Sequence, residues 1–181
     1  MEINKYLSLD ISLHKTLYDI NKNYSKSILS YDALLDILNI NWLSTGYQSK
    51  HEESLFKSYA TNAIKLYFLN PLDKGCDILL LDKFITFKED SNLICCKVDK
   101  LHFLSNDKLE LIDYKTGKYI PSIDKYFNSY KTFLTVYSIK KKLGVYPDIF
   151  SLYYLQHGLK FSTFINIDVM YSINHKRYGR F

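Results

Sequence analysis

Asp99, Asp113 and Lys115 are the residues of this 181-residue chain whose types and spacing suit hydrolytic chemistry. Lys97-Val98-Asp99 is followed fourteen residues later by Asp113-Tyr114-Lys115-Thr116-Gly117-Lys118. On a strand, side chains two apart project from one face about 6.5–7 Å from each other, so Asp113 and Lys115 point together while Tyr114 points away. If the preceding strand returns antiparallel through the short turn at 105–108, Asp99 faces that pair. Two carboxylates and an ammonium then converge. Left uncompensated beside an apolar core, such a group is costly, and a divalent cation held by both carboxylates relieves the cost. The expected ion is Mg²⁺ or Mn²⁺, and the chemistry it suits is hydrolysis of a phosphodiester. The competing reading of Asp-x-Lys is a solvated surface ion pair worth ~0–1 kcal/mol. The apolar run Leu109-Glu110-Leu111-Ile112, leading straight into the cluster, favours an internal strand that delivers polar groups at its end.

The elements that would position these residues follow from periodicity. Residues 1–75 read as mainly helical. Leu9, Ile11, Leu13, Leu17, Tyr18 and Ile20 give an imperfect helical pattern over 9–21 with a strand-like or turn-like start. Ser30 is placed to cap a second helix running through Leu43, and Ser49 with Glu52 signals a capping box for a third that Pro71 stops. Residues 76–167 form the catalytic part. Segments 76–87, 93–104 and 109–115 make a three-strand meander, a helix spans 123–143 and ends at Gly144, and strands 149–155 and 161–167 flank a hairpin turn at 156–160. The expected fold is α/β, a mixed sheet of about five strands flanked by helices, in one domain covering 1–181.

The motif residues resemble the nuclease domain of the PD-(D/E)XK superfamily, which has a restriction-endonuclease-like fold, and in particular its RecB-like branch. The likeness covers about 13–166. It includes His14-Lys15-Thr16-Leu17, Trp42, Gly46-Tyr47, Glu52-Glu53, Tyr137, Leu143-Gly144, and Leu152-Tyr153-Tyr154-Leu155 with Gly158. The resemblance implies Asp99 and Asp113 as metal ligands, the Tyr114 carbonyl as a third, His14 as an auxiliary ligand and Lys115 as the catalytic lysine. It implies an Mg²⁺- or Mn²⁺-dependent deoxyribonuclease acting on DNA ends or single strands in repair, recombination or defence. Lys118, Tyr137, Lys140 and Lys141 are the expected substrate contacts. There are departures from the branch: its usual helix glutamine is Phe133 here, and the nearest equivalent of a glutamate before the second strand is Asp82. No iron–sulfur cluster is expected, because the only cysteines are Cys76, Cys95 and Cys96. The second reading is a catalytically inactive or partner-dependent nuclease-fold subunit that binds DNA beside a helicase or another repair or defence protein.

Composition is compatible with either reading. The formal net charge is +5, and residues 131–181 hold eight Lys or Arg against Asp148 and Asp168, as a polyanion-binding surface requires. No apolar run approaches the roughly 20 residues of a membrane span, and no secretory signal is evident, so a cytoplasmic protein without membrane partners is expected. The cysteines, sparse and odd in number, read as packing residues. His51, His102, His157 and His175 show no ligand spacing and read as structural. No Gly-rich phosphate loop is present, so ATP-driven activity is not expected.

Overall fold

The computed structural model describes residues 3–24, 29–74, 77–89 and 91–178, with the side chains of Tyr24 and of 174–178 left out. Cys76 and the side chains of His175, Lys176 and Arg177, like Arg180, therefore lie outside the described residues. The chain forms two compact units: Met1–Lys74 with Tyr114–Tyr119 and Tyr153–Lys160, and Gly75–Asp113 with Ile120–Leu152 and Phe161–Phe181. Among the described residues no helix is long and apolar enough to cross a membrane.

Three helices build the first unit: α1 (Lys5–Tyr24), α2 (Tyr31–Ile40) and α3 (Lys50–Leu69). Leu9, Leu13, Leu17 and Ile20, spaced by four, four and three, form the buried stripe of α1. There is no strand-like start. The helix begins at Lys5 because the Asn4 side-chain oxygen accepts the N–H groups of Tyr6 and Leu7 (both 3.1 Å), ahead of the first buried leucine. Ser8 and Ser12, also buried on α1, lace the segment after α2 onto the helix: Ser8 Oγ donates to the Thr45 carbonyl and the Leu43 N–H donates to Ser12 Oγ (2.9 Å). That segment makes its closest approach at Gly46, in the left-handed region (φ 83°), where a Cβ would stand 2.7–2.9 Å from the backbone of Ile3 and Asn4. Ser30 caps α2 as expected, accepting from the Ala33 N–H, but the helix stops at Ile40, three residues short of Leu43. Asn41 turns the chain there, its amide donating to Asp19 (2.7 Å) and to the Ile37 carbonyl (3.1 Å). Ser49 caps α3 through the Glu52 N–H (3.1 Å), while the Glu52 carboxylate reaches back to the Gln48 N–H (2.8 Å) and takes Lys5 as an ion partner.

Strands β1 (Ile78–Glu89), β2 (Asn92–Phe103), β3 (Leu109–Lys115), β4 (Ile149–Tyr154) and β5 (Leu159–Phe164) form a five-stranded sheet in that order. The meander is present, with β1–β2 and β2–β3 both antiparallel. β4 runs parallel to β3, since the Asp148 N–H donates to the Leu109 carbonyl (2.8 Å) and the Leu155 N–H to the Lys115 carbonyl (2.9 Å). The chain is thus α/β with a mixed sheet and a helical N-terminal region. The turn between β4 and β5 is tighter than expected, with β5 starting at Leu159 and ending at Phe164.

The helix expected over 123–143 is two helices, α4 (Ile123–Phe127) and α5 (Tyr130–Leu143). Ser129 breaks it: its side chain accepts from the Thr132 N–H (3.2 Å), a new N-cap, while Thr132 Oγ1 donates to the Tyr126 carbonyl (2.8 Å). Phe133, Val136 and Ile139 form the buried stripe of α5, which packs on β1 and β2 within the second unit. α5 ends at Gly144 (φ 77°) as expected. A last helix, α6 (Ile167–Tyr178), was not anticipated; Met170 is its one fully buried residue among those described.

The two left-handed glycines separate backbone conformation from space. Gly144→Ala meets nothing within 4 Å, so it should cost about 1–2 kcal/mol, the left-handed penalty alone. Gly46→Ala adds overpacking against backbone, about 1–3 kcal/mol more. Urea unfolding of the two variants beside the parent should show the larger loss at Gly46.

Candidate functional site

Within the second unit, the register Lys100↔Ile112, Leu101↔Leu111, His102↔Glu110 and Phe103↔Leu109 fixes what β2 and β3 bring together. Continued by one residue past the Lys100↔Ile112 rung, this register sets Asp99 and Asp113 opposite each other on one sheet face. On the other side of β2, Leu81 pairs Lys100 and Lys83 pairs Val98. Asp82, between them, thus falls opposite Asp99. Three aspartates, one from each strand, share a rung. Asp82 has a left-handed backbone (φ 47°), a conformation Asp tolerates better than most residues. Lys97 serves two of the three, its Nζ lying 2.8 Å from Asp82 and 3.4 Å from Asp99. Burial works against the Lys97 charge, but hydrogen bonding to Asp82 and the fields of Asp99 and Asp82 outweigh it and raise its pKa above the ordinary lysine value. Asp99 is more enclosed than Asp82, its side chain 9% exposed against 42%. Asp82 and Lys97 are the additions that motif reading undervalued. For Asp82 the signal is its cross-strand position, which linear spacing does not display; for Lys97 it is the two-residue spacing from Asp99 on β2.

The first unit holds the continuation of β3. Tyr114 is buried, and its hydroxyl donates to the buried Asp73 carboxylate. Its ring lies 6.2 Å from His14 and 6.0 Å from Tyr153, and Tyr153 stacks on Tyr67. Tyr67 is buried beside Asp73; burial first, and then the Asp73 carboxylate, pushes its phenol well above the usual value. The same two causes push Tyr153 up to about 12. Lys115 is half-buried, two residues from Asp113 on β3. Thr116 donates to Asp10 (2.6 Å), and His14 Nε2 lies 3.6 Å from the same Asp10 oxygen, one turn along α1. Asp10 escaped sequence reading although an acid four residues before a histidine marks a shared helix face.

The expected substrate contacts all have local partners. Lys118 Nζ sits 3.2 Å over the Tyr59 ring, and its carbonyl bonds the His157 ring (2.7 Å). In the second unit, Tyr137 donates to Glu89 (3.2 Å) and stacks on Phe133, while Lys141 pairs with the same Glu89 (3.1 Å). Hydrogen bonding to Tyr137 and then Glu89 raises the Lys141 pKa to about 12. Lys140 donates to the Gly144 carbonyl (2.6 Å), capping the end of α5. His102 is buried and lies 2.8 Å from Glu110, which accepts from Ser151 (2.5 Å). Glu110, not His102, receives the serine hydroxyl, so the group lacks the serine-to-histidine link of a nucleophilic triad. Cys96 is buried, as a packing residue is, whereas Cys95, on the opposite face of β2, is exposed and not part of the packing.

Among the described residues no set of three or more His, Cys, Asp or Glu is arranged to hold a metal ion. Asp99 and Asp113 fit a more open mode. Mg²⁺ is commonly held by one or two carboxylates, completing its octahedron with water and substrate phosphate oxygens, and Mn²⁺ favours the same hard donors. Compared with known proteins, the chain matches no family model, and no curated protein matches it.

The buried phenols set a pH limit. Unfolded tyrosines ionise near pH 10, whereas Tyr153 holds its proton to about 12 and Tyr67 beyond its usual range. Above pH 10 the native state therefore binds more protons than the unfolded chain, and stability falls as pH rises. Thermal unfolding followed by circular dichroism at pH 8, 10 and 11 should show a constant melting temperature to about pH 10 and then a decline. Tyr153→Phe should make that decline shallower.

Proposed function

We propose that the protein is a metal-dependent deoxyribonuclease of the RecB-like, PD-(D/E)XK type, hydrolysing phosphodiester bonds at DNA ends or in single strands. The observation that carries this reading is the β2–β3 register, which brings Asp99 opposite Asp113, with Lys115 two residues along β3. Asp99 and Asp113 would hold Mg²⁺ or Mn²⁺, with the Tyr114 carbonyl and His14 as further ligands by the resemblance. The bound ion supplies Lewis-acid polarisation of the phosphoryl oxygen and a lowered pKa for water.

The chain's own residues do the rest. Lys115 donates a hydrogen bond to the attacking water and orients it toward phosphorus. Water adds its hydroxyl to phosphorus, the phosphorus–oxygen ester bond breaks, and the water proton ends on the departing sugar oxygen. Lys97, held between Asp82 and Asp99, supplies positive charge that offsets the repulsion between neighbouring carboxylates. The buried Tyr114–Asp73 bond fixes β3 where Asp113 and Lys115 emerge from it. The second reading, a DNA-binding subunit with no cleavage of its own, draws support from Phe133: the position where the resembled branch carries glutamine is 1% exposed in the core.

The deciding experiment incubates the protein with end-labelled single-stranded, duplex and circular DNA, with Mg²⁺, with Mn²⁺ and with EDTA. Cleavage should require the metal and should fall at least about 100-fold in Asp113→Asn and Lys115→Met. DNA binding without cleavage in any of these conditions would select the second reading.

A further inference from the structure

Helix α3 buries Phe56, Ala60, Ala63, Ile64 and Tyr67 in the first unit and leaves another side open. Lys50, Ser54, Lys57, Thr61 and Lys65, spaced by four, three, four and four, follow one another along that side, exposed or half-buried. Beside Tyr31 of α2 it opens into a groove of about 520 Å³. Apart from Lys57 and Lys65, the side chains lining the groove are uncharged, and neither acid of α2, Asp32 or Asp36, is among them.

The two acids of α3 are committed elsewhere. Glu52 takes the Lys5 ammonium and the Gln48 N–H, and Glu53 accepts from the Trp42 indole (3.0 Å). Hydrogen bonds from Ser44 and then Trp42 hold the Glu53 carboxyl below its usual range, and Lys57 and Lys50 add to this only through their fields. Among the described residues none of Lys50, Lys57 and Lys65 forms an ion pair, and Ser54, Thr61 and Asn62 make no side-chain hydrogen bond. Lys57 sits 5.9 Å over the Trp42 ring, a contact that leaves its N–H groups able to take an anion as well. The positive charge of this side is therefore uncompensated.

Charge and hydrogen-bonding chemistry define the occupant. Lys57 and Lys65 stand eight residues apart, about 12 Å along the helix, so they meet two separate negative groups, with Thr61 between them. A repeating anion fits this. Each ammonium has a neutral donor one turn away, and phosphate oxygens take lysine together with serine, threonine and asparagine in the same way. A protein partner would need an apolar anchor at the centre of the contact, and a membrane surface would need an apolar helix face. The groove offers neither, because its one ring, Tyr31, is already packed on Phe68 (5.6 Å).

We propose that the open side of α3 binds the phosphate backbone of DNA without regard to sequence, Lys57 and Lys65 each taking one phosphate while Ser54, Thr61 and Asn62 donate to the oxygens beside them. This rests on the nuclease reading for the choice of polyanion, but its test is separate from cleavage. The full chain is titrated into short fluorescein-labelled duplexes of two unrelated sequences, with anisotropy read in EDTA over a range of salt. The two duplexes should bind alike. The double variant Lys57→Ala, Lys65→Ala should weaken binding at least about tenfold near 0.1 M salt and lower the salt slope by about two. Thr61→Glu, which sets a carboxylate one turn from each lysine, should also weaken binding while the melting temperature holds or rises, because such pairs support a helix. Lys88→Glu removes as much positive charge as the double variant, from an exposed position on β1, and should change binding less than about twofold.

Unchanged DNA binding in the double variant or in Thr61→Glu would overturn the proposal. So would an equal loss in Lys88→Glu, which would reduce the effect to net charge, or a chain that binds neither duplex. Retained DNA binding in a double variant that no longer binds phosphatidylserine vesicles would assign the groove to a lipid surface instead. A protein that binds DNA through α3 but never cuts loses the nuclease reading and keeps the groove. One that cuts while binding is indifferent to Lys57 and Lys65 loses the groove alone.

Discussion

The register of β2 against β3 is the constraint on which the candidate chemistry depends. It is set by the turn between the strands, where the Asp107 N–H donates to the Leu104 carbonyl (3.0 Å) and Asp107 takes a left-handed backbone (φ 60°). It is reinforced by apolar burial, since Leu101 and Leu111 are paired and both essentially inaccessible. A slip of one residue would exchange the faces of one strand. Leu101 would then lose its buried partner, and the carboxylates of Asp99 and Asp113 would stand on opposite sides of the sheet. The core and the acidic rung are therefore specified by one pairing: selection for a dry core also aligns the acids.

Alternation along β3 shows how a strand that is almost wholly apolar can end in polar chemistry. Leu109 through Ile112 are buried on both faces, Glu110 being tolerated because Ser151 and His102 satisfy its oxygens. From Asp113 onward only the even-numbered residues stay buried: Tyr114 is held by Asp73 and Thr116 by Asp10, while Asp113 and Lys115 are half-open. β3 and β4 are parallel, and the residues with chemical potential gather at the carboxyl end of β3, where open α/β sheets leave room for ligands.

Much of this was legible in the sequence because it rests on short-range patterns. The three-strand meander, the caps at Ser30 and Ser49, the stop at Gly144 and the limits of β3 all follow from local chemistry. The break at Ser129 was hidden because Tyr126, Tyr130, Phe133 and Tyr137 keep a helical period straight through it, and periodicity does not register a cap inserted within it. α6 was hidden for the opposite reason: among its described residues only Met170 is buried, so its apolar period is weak, and the Asn166 side chain accepting the Val169 N–H (3.1 Å) marks its start. In the candidate site, Asp99, Asp113 and Lys115 were readable from motif spacing. Asp82 and Lys97 were named there too, but the Lys97–Asp82 and His102–Glu110 pairings were not readable, because strand register rather than sequence distance decides which residues meet across strands.

The charge balance of the acidic rung follows from the same register. Carboxylates on neighbouring strands repel, and the repulsion grows with burial because less water screens it. Asp82, nearly half exposed, loses little hydration, whereas the Asp99 side chain retains 9% of its exposure and depends on nearby positive charge. Lys97 supplies part of it from the same strand at a spacing of two residues, so the counter-charge is covalently tied to the group it compensates. Its side chain remains about one-third exposed and its ammonium is shared with Asp82, so it can turn toward solvent while keeping one partner. A dedicated, fully buried ion pair would lock Asp99 against any other cation. A half-open, shared lysine leaves that carboxylate able to exchange partners, which the proposed uptake of a hard divalent ion together with a phosphate requires.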